Sequence, residues 1–222
     1  MSLMGNEALA ARGVTRGFSG SDLRAADGAV ASGKTAWRLD NFYGRLAELS
    51  GSGASASLTL AFSLVFQAQE KAEPVAWIAD RVSAFYPPDA AAAGIDLDTL
   101  AIIRLPNKQL APRAADQLIR SGAFGLVVLD LGARAQVPMA VQTRLVGLAR
   151  KHGTAIVCLT EKESDEPSLG SLVSFRAQAV RKHRIQALRQ GAYGLKVRVL
   201  KDKQCGVGWR HQEVCGGVDG LY

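Results

Sequence analysis

Residues 45–71 read RLAELSGSGASASLTLAFSLVFQAQEK, and this stretch decides the fold. Its first six residues contain the apolar Leu46, Ala47 and Leu49 between polar side chains, which predicts a strand, and a run rich in Gly and Ser follows. Beyond that run the apolar residues recur at helical spacing. In the order strand, loop, helix, backbone N–H groups converge on a phosphate at the turn. The sequence therefore offers four nucleotide-binding candidates, namely Gly51, Gly53, Ser55 and Ser57.

A second phosphate-loop pattern lies upstream. Residues 28–35 read GAVASGKT, a full match to G-x-x-x-x-G-K-[ST] with Lys34 at the lysine position. The downstream loop has Ser57 at that position. No strand-like apolar run precedes Gly28, so we interpret the upstream match as a coincidence and the downstream loop as the architectural one. An active ATPase that uses Gly28–Thr35 is the alternative.

Strands and helices alternate after the downstream loop. Including the first strand and its helix, we predict strands at 45–50, 75–79, 100–104, 126–130 and 154–160, and helices at 57–71, 89–94, 112–121 and 139–151. Strands at 172–180, 194–200 and 205–214 follow with no helix between them. This pattern predicts an α/β fold, a mainly parallel twisted sheet flanked by helices, with antiparallel strands added at the C-terminal end. We expect an N-terminal arm at 1–40 and a core domain at 41–222.

Length and cysteine usage narrow the class of protein. A chain of 222 residues can bury one full core. It has no uncharged apolar run of about 18 residues, which argues against a membrane span. The cysteines form no CxxC pair, as suits a reducing cytosol. Cys205, His211 and Cys215 lack a fourth ligand for zinc, so we predict no metal site.

The positive charge is concentrated at the C-terminal end. Residues 172–222 carry ten Lys/Arg against three Asp/Glu, and the rest of the chain has 17 of each sign. Such a basic segment indicates a polyanion or an acidic partner surface, with a solvated face as the alternative. No aromatic side chain lies between Arg176 and Arg189 to stack bases, so an acidic protein fits as well as nucleic acid. The nucleic-acid candidates are Arg176, Arg181, Lys182, Arg184 and Arg189.

The collinear order of several segments resembles the core of the bacterial recombinase RecA, from about Ala29 to the C-terminus. Residues 75–103, VAWIADRVSAFYPPDAAAAGIDLDTLAII, are similar to the second-strand segment of that family. Residues 121–132, SGAFGLVVLDLG, resemble its Walker B strand, which implies Asp130 as the carboxylate on the metal side. Residues 197–204, VRVLKDKQ, resemble the strand whose lysines reach a neighbour's nucleotide, which implies Lys201 and Lys203 as interface residues.

The chain departs from the family pattern at the nucleotide. Ser57 replaces the loop lysine, and Arg81 stands where the family has a water-activating glutamate. The first change removes charge-assisted hydrogen bonds of about 1.5–3 kcal/mol each. The second removes general-base help worth roughly 10²–10⁴ in rate. We therefore expect a pseudo-ATPase rather than an enzyme, with neither ATP nor magnesium as a required cofactor.

The segments that resemble DNA-binding loops are also altered. Residues 132–140 read GARAQVPMA and offer a single cation, Arg134. Residues 161–171 read EKESDEPSLGS, and their acidic side chains would repel phosphates. That acidic set is Glu161, Glu163, Asp165 and Glu166, of which Glu161 stands where the family has a polar nucleotide sensor.

Within the family, the short length and the pattern of losses are most similar to the ImuA group of damage-induced proteins. This resemblance implies a non-catalytic scaffold or modulator in SOS mutagenesis and translesion synthesis. It implies RecA and an ImuB-like, polymerase-related protein as partners, with DNA as a further candidate and no membrane contact. The implied localisation is cytoplasmic and associated with the nucleoid. A basic DNA-binding module and an active ATPase are the alternative functions.

Overall fold

The computed structural model describes residues 37–51, 56–83, 85–133, 135–182, 193–208 and 210–215. Its α-helices are Ser57–Glu70 (α1), Pro87–Ala92 (α2), Ala111–Ser121 (α3) and Met139–His152 (α4). Its strands are Leu46–Ser50 (β1), Val75–Asp80 (β2), Leu100–Leu105 (β3), Leu126–Gly132 (β4), Ala155–Thr160 (β5), Phe175–Lys182 (β6), Tyr193–Asp202 (β7) and Arg210–Cys215 (β8). Short 3₁₀ turns span Leu39–Asn41, Leu97–Thr99 and Lys108–Leu110.

The strands form one eight-stranded sheet in the order β3-β2-β4-β5-β1-β6-β7-β8. Strands β1 to β6 pair in parallel, and β7 and β8 are added antiparallel, which confirms the predicted α/β fold class. The carboxyl ends of β1, β2, β4 and β5 consequently meet at one edge of the sheet, which we call the carboxyl edge. The opposite edge, where β1 starts and β7 ends, is the amino edge.

Each face of the sheet carries a hydrophobic layer. Ala47 and Leu49 of β1 face the layer that contains α1, whereas Leu46 faces the layer that contains α3 and α4. Because side chains alternate along a strand, Glu48 and Ser50 share the face of Leu46. A carboxylate thus lies inside the sheet on the face that packs against α3 and α4, and it requires hydrogen-bond partners there.

Three of the differences from the predicted boundaries have a clear physical reason or consequence. Helix α2 begins at Pro87, because proline is favourable in the first turn of a helix, where its missing N–H is not needed. Strand β8 begins only at Arg210, because Gly206 and Gly208 adopt positive φ in the preceding turn. Trp37, assigned to the arm, is 5% exposed and belongs to the α1-side core. Among the described residues, no helix has the length and apolarity needed to cross a bilayer.

Candidate functional site

The predicted nucleotide loop lies at the carboxyl edge, between β1 and α1. Strand β1 ends at Ser50, and α1 begins at Ser57, which is buried. The N–H of Gly51 donates to the carbonyl of Thr160 on β5, at 3.1 Å. The strand before the downstream motif and the helix after it are therefore confirmed, and the capacity of the motif to bind a nucleotide stays a prediction. Outside the described residues lie Gly53, Ser55 and the upstream loop Gly28–Thr35.

Asp130, the predicted metal-side carboxylate, is also at this edge. It lies near the end of β4 and is 7% exposed. The hydroxyl of Ser83 donates a hydrogen bond to Oδ2 of Asp130. Burial raises the pKa of Asp130, and this effect outweighs the opposing influence of the Ser83 hydrogen bond and of the Lys108 ammonium. The carboxylate is where the resemblance implies, but a hydroxyl of its own chain already binds it.

A lysine that the sequence analysis did not single out projects into the same place. Lys108 begins the 3₁₀ turn after β3, and its Nζ lies 3.8 Å from Oδ2 of Asp80 at the end of β2. A Cβ atom added to Gly132, at the end of β4, would overlap that ammonium. Its position in the sequence could have indicated this placement, because Lys108 follows the predicted strand at 100–104 and the carboxyl ends of parallel strands meet at this edge. The ammonium therefore reaches across the end of β2 towards β4.

Arg81 occupies the position at which the family resemblance implies a water-activating carboxylate. Arg81 is exposed. Asp80, just before it, accepts a hydrogen bond from the N–H of Val82 at 3.1 Å and faces the Lys108 ammonium. The carboxylate beside the expected base position is thus held by a backbone N–H and a neighbouring cation, which is a structural arrangement.

The donor set does not fit a magnesium ion. Magnesium requires nearly octahedral oxygen ligands at about 2.0–2.1 Å. Within the residues that the structure describes, no three Asp, Glu, His or Cys side chains are placed to hold a metal. A positive ammonium group stands next to Asp80 and influences Asp130, where a divalent cation would need to approach.

Glu48, the carboxylate inside β1, is the centre of a buried polar cluster. Its side chain is fully buried and accepts hydrogen bonds from the Thr160 hydroxyl and from the N–H of Leu169, both at 2.9 Å. Arg176 Nε and Lys162 Nζ lie 3.9 and 4.0 Å from its oxygens. Of these partners, Lys162 and Leu169 belong to residues 161–174, the crossover from β5 to β6, which contains no helix. A helix usually forms the crossover between two parallel strands. Here the crossover has no helix, and side-chain hydrogen bonds hold it against the sheet.

The position of Arg176 corrects one of the nucleic-acid predictions. Arg176 is 4% exposed, and its guanidinium donates to the Ser50 hydroxyl at 3.1 Å, to the Glu163 carbonyl at 2.7 Å and to the Glu166 carbonyl. A buried guanidinium committed to its own chain does not reach a phosphate backbone. The prediction failed because a strand residue was judged by its charge alone, whereas its side chain faces Glu48 inside the sheet.

The remaining basic candidates stay predictions. Arg181 and Lys182 end β6, and the structure gives their backbone positions only. Arg184 and Arg189 lie outside the described residues. The acidic side chains of the crossover are exposed, so they could repel the phosphates of a nucleic acid. These residues are Glu161, Glu163, Asp165 and Glu166.

The predicted interface lysines lie at the amino edge, opposite the nucleotide loop. Lys201, near the end of β7, is partly buried, and its Nζ donates to the Gly170 carbonyl at 3.3 Å and to the Ser168 hydroxyl at 3.4 Å. Burial and the neighbouring Lys203 lower the pKa of Lys201. Lys203 is exposed and donates to the Ser171 carbonyl at 2.5 Å. Both ammonium groups therefore support the crossover of their own chain.

Comparison with known proteins gives a consistent family. The RecA N-terminal domain model matches residues 27–152. Protein RecA of Fusobacterium nucleatum is 40% identical over 97 residues, which cover 44% of this chain and 25% of that protein. Protein RecA of a Picosynechococcus species is 28% identical over 194 residues, covering 72% of this chain and 56% of the relative. Protein RecA of Haemophilus ducreyi is 32% identical over 128 residues, covering 53% and 34%. The chain thus spans from a quarter to just over half of these relatives.

Proposed function

We propose a function for this chain that starts from its family: it belongs to the RecA N-terminal domain family. The proposed function is that of a non-catalytic scaffold or modulator in DNA-damage-induced mutagenesis and translesion synthesis. Its partners would be a RecA protomer, an ImuB-like polymerase-related protein, or both. The observation that carries the proposal is the contrast between the two edges of the sheet. The amino edge keeps both interface lysines, and the carboxyl edge lacks the groups that nucleotide turnover requires.

The carboxyl edge supports the non-catalytic part of the proposal. Ser57 stands at the loop-lysine position, and Arg81 stands where a water-orienting carboxylate is needed. Two acidic groups of this edge, Asp80 and Asp130, bind Val82, Ser83 or Lys108 of their own chain. Among the described residues, no carboxylate stands at the expected base position, and the loop sequence has no phosphate-binding lysine.

The amino edge supports the docking part. A lysine ammonium has three donors, and Lys203 is exposed while one of its hydrogen bonds goes to the Ser171 carbonyl. Donors thus remain for an anionic group of a partner. Lys201 lies two residues earlier and adds a second positive charge at the same edge. An acidic or phosphate-bearing surface is the chemistry that this pair would recognise.

The geometry of opposite edges suggests a cap. Head-to-tail contacts between unlike faces extend into filaments when both faces work. A chain with a working amino edge and a disabled carboxyl edge can dock on the nucleotide face of a RecA protomer but cannot offer an equivalent face to the next one. We expect it to terminate or remodel a RecA filament.

A pull-down with nucleotide-loaded RecA tests the proposal. The double substitution of Lys201→Ala and Lys203→Ala should abolish association, whereas Arg198→Ala, an exposed cation on the same strand β7, should leave it intact. Thermal unfolding of both variants controls for loosening of the crossover. If the double variant is folded and binds RecA as well as wild type, the docking mode is wrong. The same variants with an ImuB-like partner determine which protein uses this edge.

A further inference from the structure

We infer that Lys108 is a built-in cation that occupies the place of magnesium and closes the carboxyl edge to divalent metal. The inference deepens the proposed loss of catalysis, and it rests on that proposal only in treating this edge as the former nucleotide site. It concerns what the chain does with the acidic groups that the site retains.

The fold brings the lysine and its acidic neighbours together from four separate segments. Asp80 ends β2, Asp130 lies near the end of β4, and Glu161 follows β5. Lys108 comes from the turn after β3, at the outer end of this row of parallel strands. All four residues consequently reach the same edge although they are far apart in the chain.

Contacts show where the ammonium lies. Its Nζ is 3.8 Å from Oδ2 of Asp80. It fills the space that a side chain on Gly132 would need, and Oε1 of Glu161 lies 3.4 Å from that same Cβ position. Its charge also counteracts the effect of burial on the pKa of Asp130. The ammonium is therefore close to Asp80 and Glu161 and electrostatically coupled to Asp130.

A second cation at this point is opposed by the charge of the lysine. Magnesium would need to move an ammonium that lies 3.8 Å from Asp80, and the repulsion between cations a few ångströms apart is large at a partly buried site. Magnesium also requires nearly octahedral oxygen coordination, which water molecules could complete only once the ammonium is gone. A lysine ammonium, a compact point charge on a flexible stem, has no such geometric demand. The lysine thus satisfies the carboxylates that a metal would otherwise neutralise.

Manganese titration of the purified chain tests the inference. Mn²⁺ broadens NMR signals close to its binding site, and binding also raises the melting temperature by an amount that grows with the logarithm of the Mn²⁺ concentration relative to Kd. We expect no site-specific broadening near Asp80 and Asp130 in wild type. Lys108→Ala should bind Mn²⁺ at least about tenfold more tightly than wild type, because the repelling charge has gone. Lys108→Gln serves the same purpose if the alanine variant does not fold.

Two controls isolate the role of the charge at this position. Lys108→Arg keeps the cation and should not gain Mn²⁺ binding. Lys71→Ala removes a lysine that pairs with Asp40 elsewhere on the surface, and it should not gain binding either. Wild-type binding of Mn²⁺ at this edge would overturn the inference, and so would a neutral variant at position 108 that gains none. The titration contains neither RecA nor nucleotide, so its failure and a failure of the proposed docking are distinguished by separate assays.

Discussion

Replacing Arg176 by alanine distinguishes a structural arginine from a nucleic-acid contact. The substitution removes the cation 3.9 Å from the fully buried Glu48 and leaves the Glu163 and Glu166 carbonyls without its guanidinium. Lys162 remains near Glu48, at 4.0 Å, together with two hydrogen bonds to the carboxylate. In the variant, the buried Glu48 carboxylate therefore keeps its hydrogen bonds and Lys162 but loses the nearby positive charge of Arg176.

The expected loss of stability is large. Breaking a buried ion pair by removal of one partner costs about 3–5 kcal/mol. A domain of 150–250 residues loses roughly 2–4 °C of melting temperature per kcal/mol, so Arg176→Ala should melt roughly 6–20 °C below wild type. The crossover should also loosen, because Arg176 donates to two of its carbonyls. Trypsin should then cut after Lys162 in the variant sooner than in wild type.

Urea denaturation, thermal melting and limited trypsin digestion measure these effects. Arg198→Ala is the matched control, since Arg198 is an exposed cation on the neighbouring strand β7 and its loss should cost no more than about 0.5 kcal/mol. If Arg176→Ala has the stability of the control and instead loses affinity for DNA, the structural assignment of Arg176 is refuted and the sequence-based one is restored.

Three other outcomes follow from the same structure. Burial raises the pKa of Asp130 above its ordinary 3.8, so the folded state binds more protons between the two values and stability falls as pH rises through that window. Asp130→Asn should accordingly be more stable than wild type at pH 7, with the difference vanishing below pH 3.8 in melts across a pH series. Mg-ATP should not raise the melting temperature of the wild-type chain; a rise that Lys34→Ala abolishes would instead favour the upstream loop. If the basic C-terminal end binds DNA, neutralising Arg181, Lys182 and Arg184 should weaken that binding and reduce its salt dependence, and an unchanged salt titration would argue for a protein partner.

Local patterns were sufficient to predict the fold. The strand, loop, helix order around Gly51 and the alternation that follows are properties of neighbouring residues, and the parallel sheet followed from them. Helix α2 was placed two residues too late, because Pro87 and Pro88 were interpreted as loop residues although proline suits a first helical turn.

The candidate site was less predictable, because it depends on which strands are neighbours. The role of Lys108 requires the end of β3 to lie beside the ends of β2 and β4, which no local pattern specifies. Arg176 was misjudged for the same reason, since its partner Glu48 is 128 positions away in the chain and only the pairing of β1 with β6 brings them together. A charged residue in the sequence indicates that an oppositely charged or polar group lies near it, and the strand order determines which group that is.

The crossover at residues 161–174 is fastened largely through its main chain. Arg176, Lys201 and Lys203 donate to backbone carbonyls in it, and Glu48 accepts from a backbone N–H. Every residue type supplies such carbonyls, so mutation can change the outward side chains of this segment without releasing it from the sheet. The exposed side chains of the crossover can therefore differ between homologous proteins while the fold is kept. A new binding specificity can arise in this segment with little loss of stability.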